Sequence, residues 1–98
     1  MSEYLDLIRR HRRLAILRHL EGCAEYTSNA AILGDVLAGL GLGATHDQIV
    51  TEAMWLRDQG LVRVADDGFC VIAATRAGAE IARGVTTHPD IQRPRPGG

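Results

Sequence analysis

The sequence predicts a mainly α fold carrying one small β-hairpin: three helices, the hairpin, then a fourth helix, in one α+β domain. Three observations carry that reading. Apolar residues recur at helical spacing in three separate stretches, around residues 14–20, 32–40 and 49–56. Beyond Gly60 the pattern becomes alternating, and two β-prone runs flank the Asp-Gly pair of "DDG". A Thr-x-x-Gly segment at residues 75–78 then opens a last helical stretch.

Taken in order, Ser2 can cap the first helix, with Glu3 and Asp6 in its positive first turn and Gly22 past its end. Its second half, "RRLAILRHLEG", aligns Leu14, Leu17 and Leu20 as a core stripe. The first half adds Tyr4, Leu5, Leu7 and Ile8, which fall on sides that stripe leaves uncovered. A small domain cannot bury a long helix all round, so the surplus points to a partner chain, most simply a second copy. The alternative is a separate helix over residues 2–10 folded back on the same domain.

Ser28 or Thr27 is expected to cap the second helix, "NAAILGDVLAGLG", which the glycines at 39, 41 and 43 bring to an end. The third opens on "THDQ", with Thr45 at the N-cap and Gln48 three residues on, a capping-box pattern. Ile49, Ala53 and Leu56 form its buried face, and Gly60 suits the position past its end. "LVRVA" and "FCVIAA" form the hairpin, and Thr75 caps "RAGAEIARG", which stops at Gly84. The domain is thus expected over residues 1–84, with residues 2–12 as a helical extension making the dimer contact. Residues 85–98 hold all three prolines and form a tail, extended along the domain or disordered.

Charge and composition narrow the function classes. The net charge of −1 argues against an indiscriminate polyanion binder. Residues 1–22 carry five Arg against Glu3, Asp6 and Glu21, whereas residues 23–60 carry Glu25, Asp35, Asp47, Glu52 and Asp58 against Arg57 alone. All eleven basic residues are Arg, consistent with a GC-rich coding sequence or with selection for phosphate-binding forks. Cys23 and Cys70 lack thiol neighbours, so they read as small hydrophobes rather than a disulfide or zinc ligands. The histidines are dispersed, and no nucleophile elbow, HExxH or phosphate loop is present, so neither a metal, a cofactor nor catalysis is expected. No run has the length of a membrane span and "MSEYLDLIRRHRR" lacks a signal's apolar region, which makes the cytoplasm the expected location.

Several segments, in order, resemble the winged helix-turn-helix family. "RLAILRHL" is similar to the first core helix of ArsR-type regulators, "WLRDQGLV" to the end of a recognition helix entering the wing, and "ATRAGAEIA" to the segment after the wing in MarR- and PadR-like proteins. "YTSNAAIL", "HRRLAILRHL" and "HPDIQRPRP" together also resemble a small family of Mu-like phages and prophages. The first resemblance implies a homodimeric regulator binding double-stranded DNA, with the third helix in the major groove and the wing on the backbone.

On that scheme Thr45, His46, Gln48 and Thr51 contact DNA from the third helix, Arg63 from the wing, and Arg9, Arg12 and Arg13 from the first helix. The helix's outward set reads His46, Asp47, Val50, Thr51, Met54, Trp55 and Asp58, and Glu52 adds to its acids. Two acids there, and Asp66-Asp67 at the wing tip, oppose phosphate. The alternative function is therefore a protein–protein adaptor on the same scaffold, with Met54 and Trp55 as the partner face and Tyr4, Leu5 and Ile8 as the dimer contact. Trp55 can instead cover the hairpin or the tail.

Overall fold

The structure, a computed structural model, describes residues 2–95, Ser2 by its backbone alone. Helix α1 (Ser2–Glu21) is continuous, so residues 2–10 do not fold back as a separate helix. A short 3-10 turn (Ala24–Tyr26) leads into strand β1 (Thr27–Asn29), which is followed by α2 (Ala30–Gly39) and α3 (His46–Asp58). Strands β2 (Val62–Asp66) and β3 (Cys70–Ala74) form the expected hairpin, and α4 (Arg76–Ala82) closes the domain. The expected Ser2 cap and the terminal Pro96-Gly97-Gly98 lie outside the described residues.

The element order differs from the expected one by a strand. β1 pairs antiparallel with β3, placing Ser28 opposite Ile72, so the hairpin becomes a three-stranded sheet in the order β1-β3-β2. "TSN" carries no alternating apolar signature, and only its long-range partner makes it a strand. The chain reaches it through Glu25 and Tyr26, two consecutive non-glycine residues at φ 56° and 55°. That left-handed pair is held by Tyr26 packing against the core and by the Thr27 hydroxyl donating to the Glu25 carbonyl at 2.8 Å. Because residues 27 and 28 belong to the strand, the cap of α2 shifts to Asn29, whose side chain accepts from the Ile32 N–H at 2.9 Å.

The other caps fall where the sequence places them. Thr45 and Gln48 form both bonds of a capping box, and Thr75 accepts from the Gly78 N–H. The Thr75 hydroxyl also donates to the Gly60 carbonyl at 2.8 Å, tying the start of α4 to the end of α3. Gly60 sits at φ 76°, a conformation that favours glycine. Gly78 is required for a different reason: a Cβ there would overlap the Leu61 carbonyl, so α4 rests directly on the backbone before β2.

The core joins Ile16, Leu17 and Leu20 of α1 to Leu33 and Leu37 of α2, Ile49 and Leu56 of α3, and Ile72 of β3. Its last member is Ile91, 2% exposed, which the chain after α4 returns to the domain. The chain reaches Ile91 through bends and a turn, in which the Ile91 N–H donates to the His88 carbonyl at 3.2 Å, and the Gln92 N–H then donates to the Arg10 carbonyl at 3.2 Å. Cys70 is buried, and burial, then the Asp66 charge, raise its thiol pKa; Cys23 is half-buried.

Candidate interaction site

Helices α1 and α3 meet along a polar seam beside the core. In α3 the core face takes Ile49, Ala53 and Leu56, which leaves Glu52 and Trp55 at the edge nearest α1. Arg9 and Arg13, four residues apart on α1, lie one above the other on the facing side. The Arg9 Nε donates to one carboxylate oxygen of Glu52 at 2.7 Å, and the Arg13 Nε to the other at 2.8 Å. The Glu52 side chain is 4% exposed, Arg13's 8% and Arg9's 41%.

The tail completes the enclosure of Arg13. Its Nη1 donates to the Asp90 carbonyl at 2.9 Å, and its guanidinium lies over the Trp55 ring, 3.8 Å from the centroid. His88 meets the Trp55 edge with ring centroids 5.2 Å apart at 74°. The His88 Nδ1 accepts from the Asp90 N–H, which leaves Nε2 as the donor to the Gln59 side-chain oxygen at 3.0 Å. Arg10 lines the cleft beside this cluster, and its buried Nε has no hydrogen-bond partner among the described residues.

These contacts correct several expectations. Arg13 is buried and committed to Glu52, the Asp90 carbonyl and the Trp55 ring, which turns it away from the surface a phosphate would meet. Glu52 belongs to the interior, not to the outward acidic face. Val50, Met54 and Trp55 are half-buried, and Trp55 lies beneath Arg13 and against His88 of the tail, as the alternative reading of that residue expects. Arg12 is directed at the connection between α2 and α3, where it donates to the carbonyls of Leu42 at 3.0 Å and Gly43 at 2.5 Å. Arg9 keeps exposed surface but is anchored by Glu52.

The remaining expected residues do reach solvent. Thr45, His46, Gln48 and Thr51 are exposed on α3, although the side chains of Thr45 and Gln48 are engaged in the cap; Arg63 is exposed on β2. Tyr4 and Leu5 are exposed, and Ile8 is half-buried. A groove of about 450 Å³ runs between the first turns of α1 and α3, with Leu5, Asp6, Arg9, Asp47, Gln48 and Thr51 among its lining residues. Asp6 and Asp47 stand in it without an ion-pair partner among the described residues. No sequence signal marks His88 and Asp90, because the tail's return to α1 is a tertiary event.

Among the described residues no group of three or more His, Cys, Asp or Glu is placed to hold a metal ion, and no helix is long and apolar enough to cross a membrane. Fold and seam together define a small α+β protein of four helices and a three-stranded antiparallel sheet, its first and third helices joined by a buried ion-pair cluster. The chain belongs to the Mu-like phage protein family that includes gp26 of Escherichia phage Mu, an uncharacterised protein to which it is 36% identical over 92 residues, 93% of this chain and 95% of gp26. It is also 33% identical over 75 residues to an uncharacterised Haemophilus influenzae protein, across 74% of this chain and 72% of that one. No family profile and no solved structure matches it.

Proposed function

We propose that this is a protein-interaction module on a winged-helix scaffold, taking a basic, partly apolar segment of a partner protein into the groove between α1 and α3. The observation that carries the reading is the inward commitment of the α1 arginines. Arg9 and Arg13 converge on Glu52 and Arg12 on backbone carbonyls, which removes most of the cationic surface a DNA-binding reading needs. The groove beside them is lined by Leu5, by Asp6 and Asp47, which have no ion-pair partner among the described residues, and by Arg9 and Arg12, whose guanidiniums are engaged by Glu52 and by backbone carbonyls; the charge left uncompensated there is acidic and suits a cationic peptide better than a phosphate. The succession of α2, capped α3, hairpin and α4 supports the scaffold; the acidic tip at Asp66-Asp67, with Phe69 77% exposed, supports a protein partner over a nucleic-acid backbone.

Binding of double-stranded DNA is the competing function, favoured by the exposure of His46 and Thr51 on α3 and of Arg63 on the hairpin strand β2. One titration separates the two. The isotope-labelled full chain is titrated with a mixed-sequence DNA duplex and with a panel of Arg/Lys-rich amphipathic peptides, and the amide shifts are read by NMR. The expected result is peptide-induced shifts at Leu5, Asp47 and Thr51 that Asp6→Arg/Asp47→Arg suppresses. Duplex binding that weakens with salt at a log–log slope of about −0.9 per phosphate neutralised, with no peptide response, overturns the proposal.

A further inference from the structure

The first turns of α1 carry a second exposed surface, on a different side of the helix from the groove. Tyr4, Leu7, Ile8 and His11 follow the spacing i, i+3, i+4, i+7 and so line one face. Tyr4 is 67% and Leu7 45% exposed. Through His11 the stripe continues into a groove between α1 and α2, where Leu14, Val36, Leu40 and Leu42 are joined by Arg18 and His19, with Leu40 60% exposed. Adjacent apolar side chains at this spacing on a charged helix mark a surface that another helix covers.

Charge identifies the occupant. Glu3 and Arg10 are seven residues apart, so both flank the stripe on the same side. Neither has an ion-pair partner among the described residues. We propose that the chain pairs with a second copy of itself through this stripe, the two α1 helices running antiparallel so that Glu3 of each copy faces Arg10 of the other. Parallel pairing about a two-fold axis turns each copy's Glu3 and Arg10 toward the partner's other flank, so the two charges do not meet. Antiparallel pairing about a two-fold axis opposes unlike charges twice, and in the same register packs Tyr4 of each copy on Leu7 of the other. The stripe is thus self-complementary under two-fold rotation, as an interface between identical chains must be. Leu5, Asp6 and Asp47 stay outside it, so the pairing leaves the α1–α3 groove open.

Sedimentation velocity of the full chain over a concentration series at low salt tests the pairing. The wild type is expected to show a reversible monomer–dimer equilibrium that Leu7→Glu abolishes. Glu3→Arg is expected to weaken association about tenfold, and Glu3→Arg/Arg10→Glu to restore it to within about twofold. Circular dichroism melts check that each variant is folded, and Tyr4→Glu provides the same readout should Leu7→Glu unfold. A monomer at every concentration overturns the proposal, as does a dimer that Leu7→Glu and Tyr4→Glu leave intact. A double exchange that does not restore what Glu3→Arg removes overturns the antiparallel arrangement.

Discussion

Replacing Glu52 by alanine is expected to destabilise the protein far more than losing a surface carboxylate would. The carboxylate is almost wholly enclosed and accepts from Arg9 at 2.7 Å and Arg13 at 2.8 Å. Without it, Arg13 keeps the Asp90 carbonyl and the Trp55 ring, but its charge stays under cover with no counter-charge. Removing one partner of a buried pair costs about 3–5 kcal/mol. Arg9 can turn to water, which places the loss near the lower end, at roughly 3 kcal/mol. A chain of this size has a total stability of about 5–15 kcal/mol, and each ~1 kcal/mol moves the melting temperature by roughly 4–8 °C, so the expected fall is about 12–24 °C. Urea unfolding followed by circular dichroism and by fluorescence of Trp55, the only tryptophan, measures it at the seam itself. The double variant Glu52→Leu/Arg13→Met removes both charges and is expected to recover most of the loss, because a packed apolar pair replaces a buried ion pair at little cost. A loss below about 1 kcal/mol for Glu52→Ala, the size of an exposed pair, would refute the dependence of Arg13 on Glu52.

Gly78→Ala is expected to cost about 2–4 kcal/mol in urea unfolding, because the obstructing atom is the Leu61 backbone carbonyl and cannot swing aside; an effect under about 1 kcal/mol would mean α4 does not rest on that backbone. Asn29→Ala is expected to cost about 1 kcal/mol through loss of the α2 cap; thermal melts that it leaves unchanged would mean that Asn29 does not cap α2. Ile91→Ala is expected to cost about 2–4 kcal/mol and to expose Trp55 to acrylamide quenching, an effect absent from a tail that is merely loose. Cys70 gives a pH dependence. Its folded pKa lies above the unfolded value, so its contribution is full below the ordinary thiol range of about 8.5 and is lost as pH rises through the folded pKa. The wild type is therefore expected to lose stability relative to Cys70→Ala in alkaline urea titrations, and Asp66→Asn to shrink that difference; a pH-independent difference would sink the assignment.

What can be read from the sequence is what local rules determine. The capping box at Thr45 and Gln48, the cap at Thr75 and the turn at Gly68 depend only on residues a few positions apart, and each stands where the spacing puts it. The three-residue β1 is invisible because "TSN" has no pattern of its own: it is a strand only because β3 offers a free edge. The position of the α2 cap depends on that strand, since Thr27 and Ser28 look like better caps until the sheet claims them. The burial of Glu52 is hidden for a related reason. A glutamate among helical residues is ordinarily outward, and nothing near it in sequence announces the two arginines, 43 and 39 positions away, that make its burial favourable. Ile91 is hidden because residues 85–98 hold all three prolines and show no helical or alternating apolar pattern.

The run "RRHRR" shows how a helix divides a charge cluster that looks single in sequence. Successive residues point about 100° apart, so the four arginines cannot act as one basic patch. Arg9 and Arg13, one turn apart, share Glu52; Arg12 grips the α2–α3 connection; Arg10, on a third side, retains a buried Nε with no acceptor among the described residues. Turning Arg9 and Arg13 toward a phosphate backbone would abandon Glu52 in the interior, and the cost of that stranded carboxylate opposes whatever the phosphates contribute. Arg9→Gln/Arg13→Gln therefore distinguishes the two uses of the run. If the arginines serve the α1–α3 seam, the pair of substitutions lowers the unfolding midpoint before any ligand is added. If they serve DNA, the midpoint holds and the log–log salt slope of duplex binding becomes shallower by about one for each phosphate no longer neutralised.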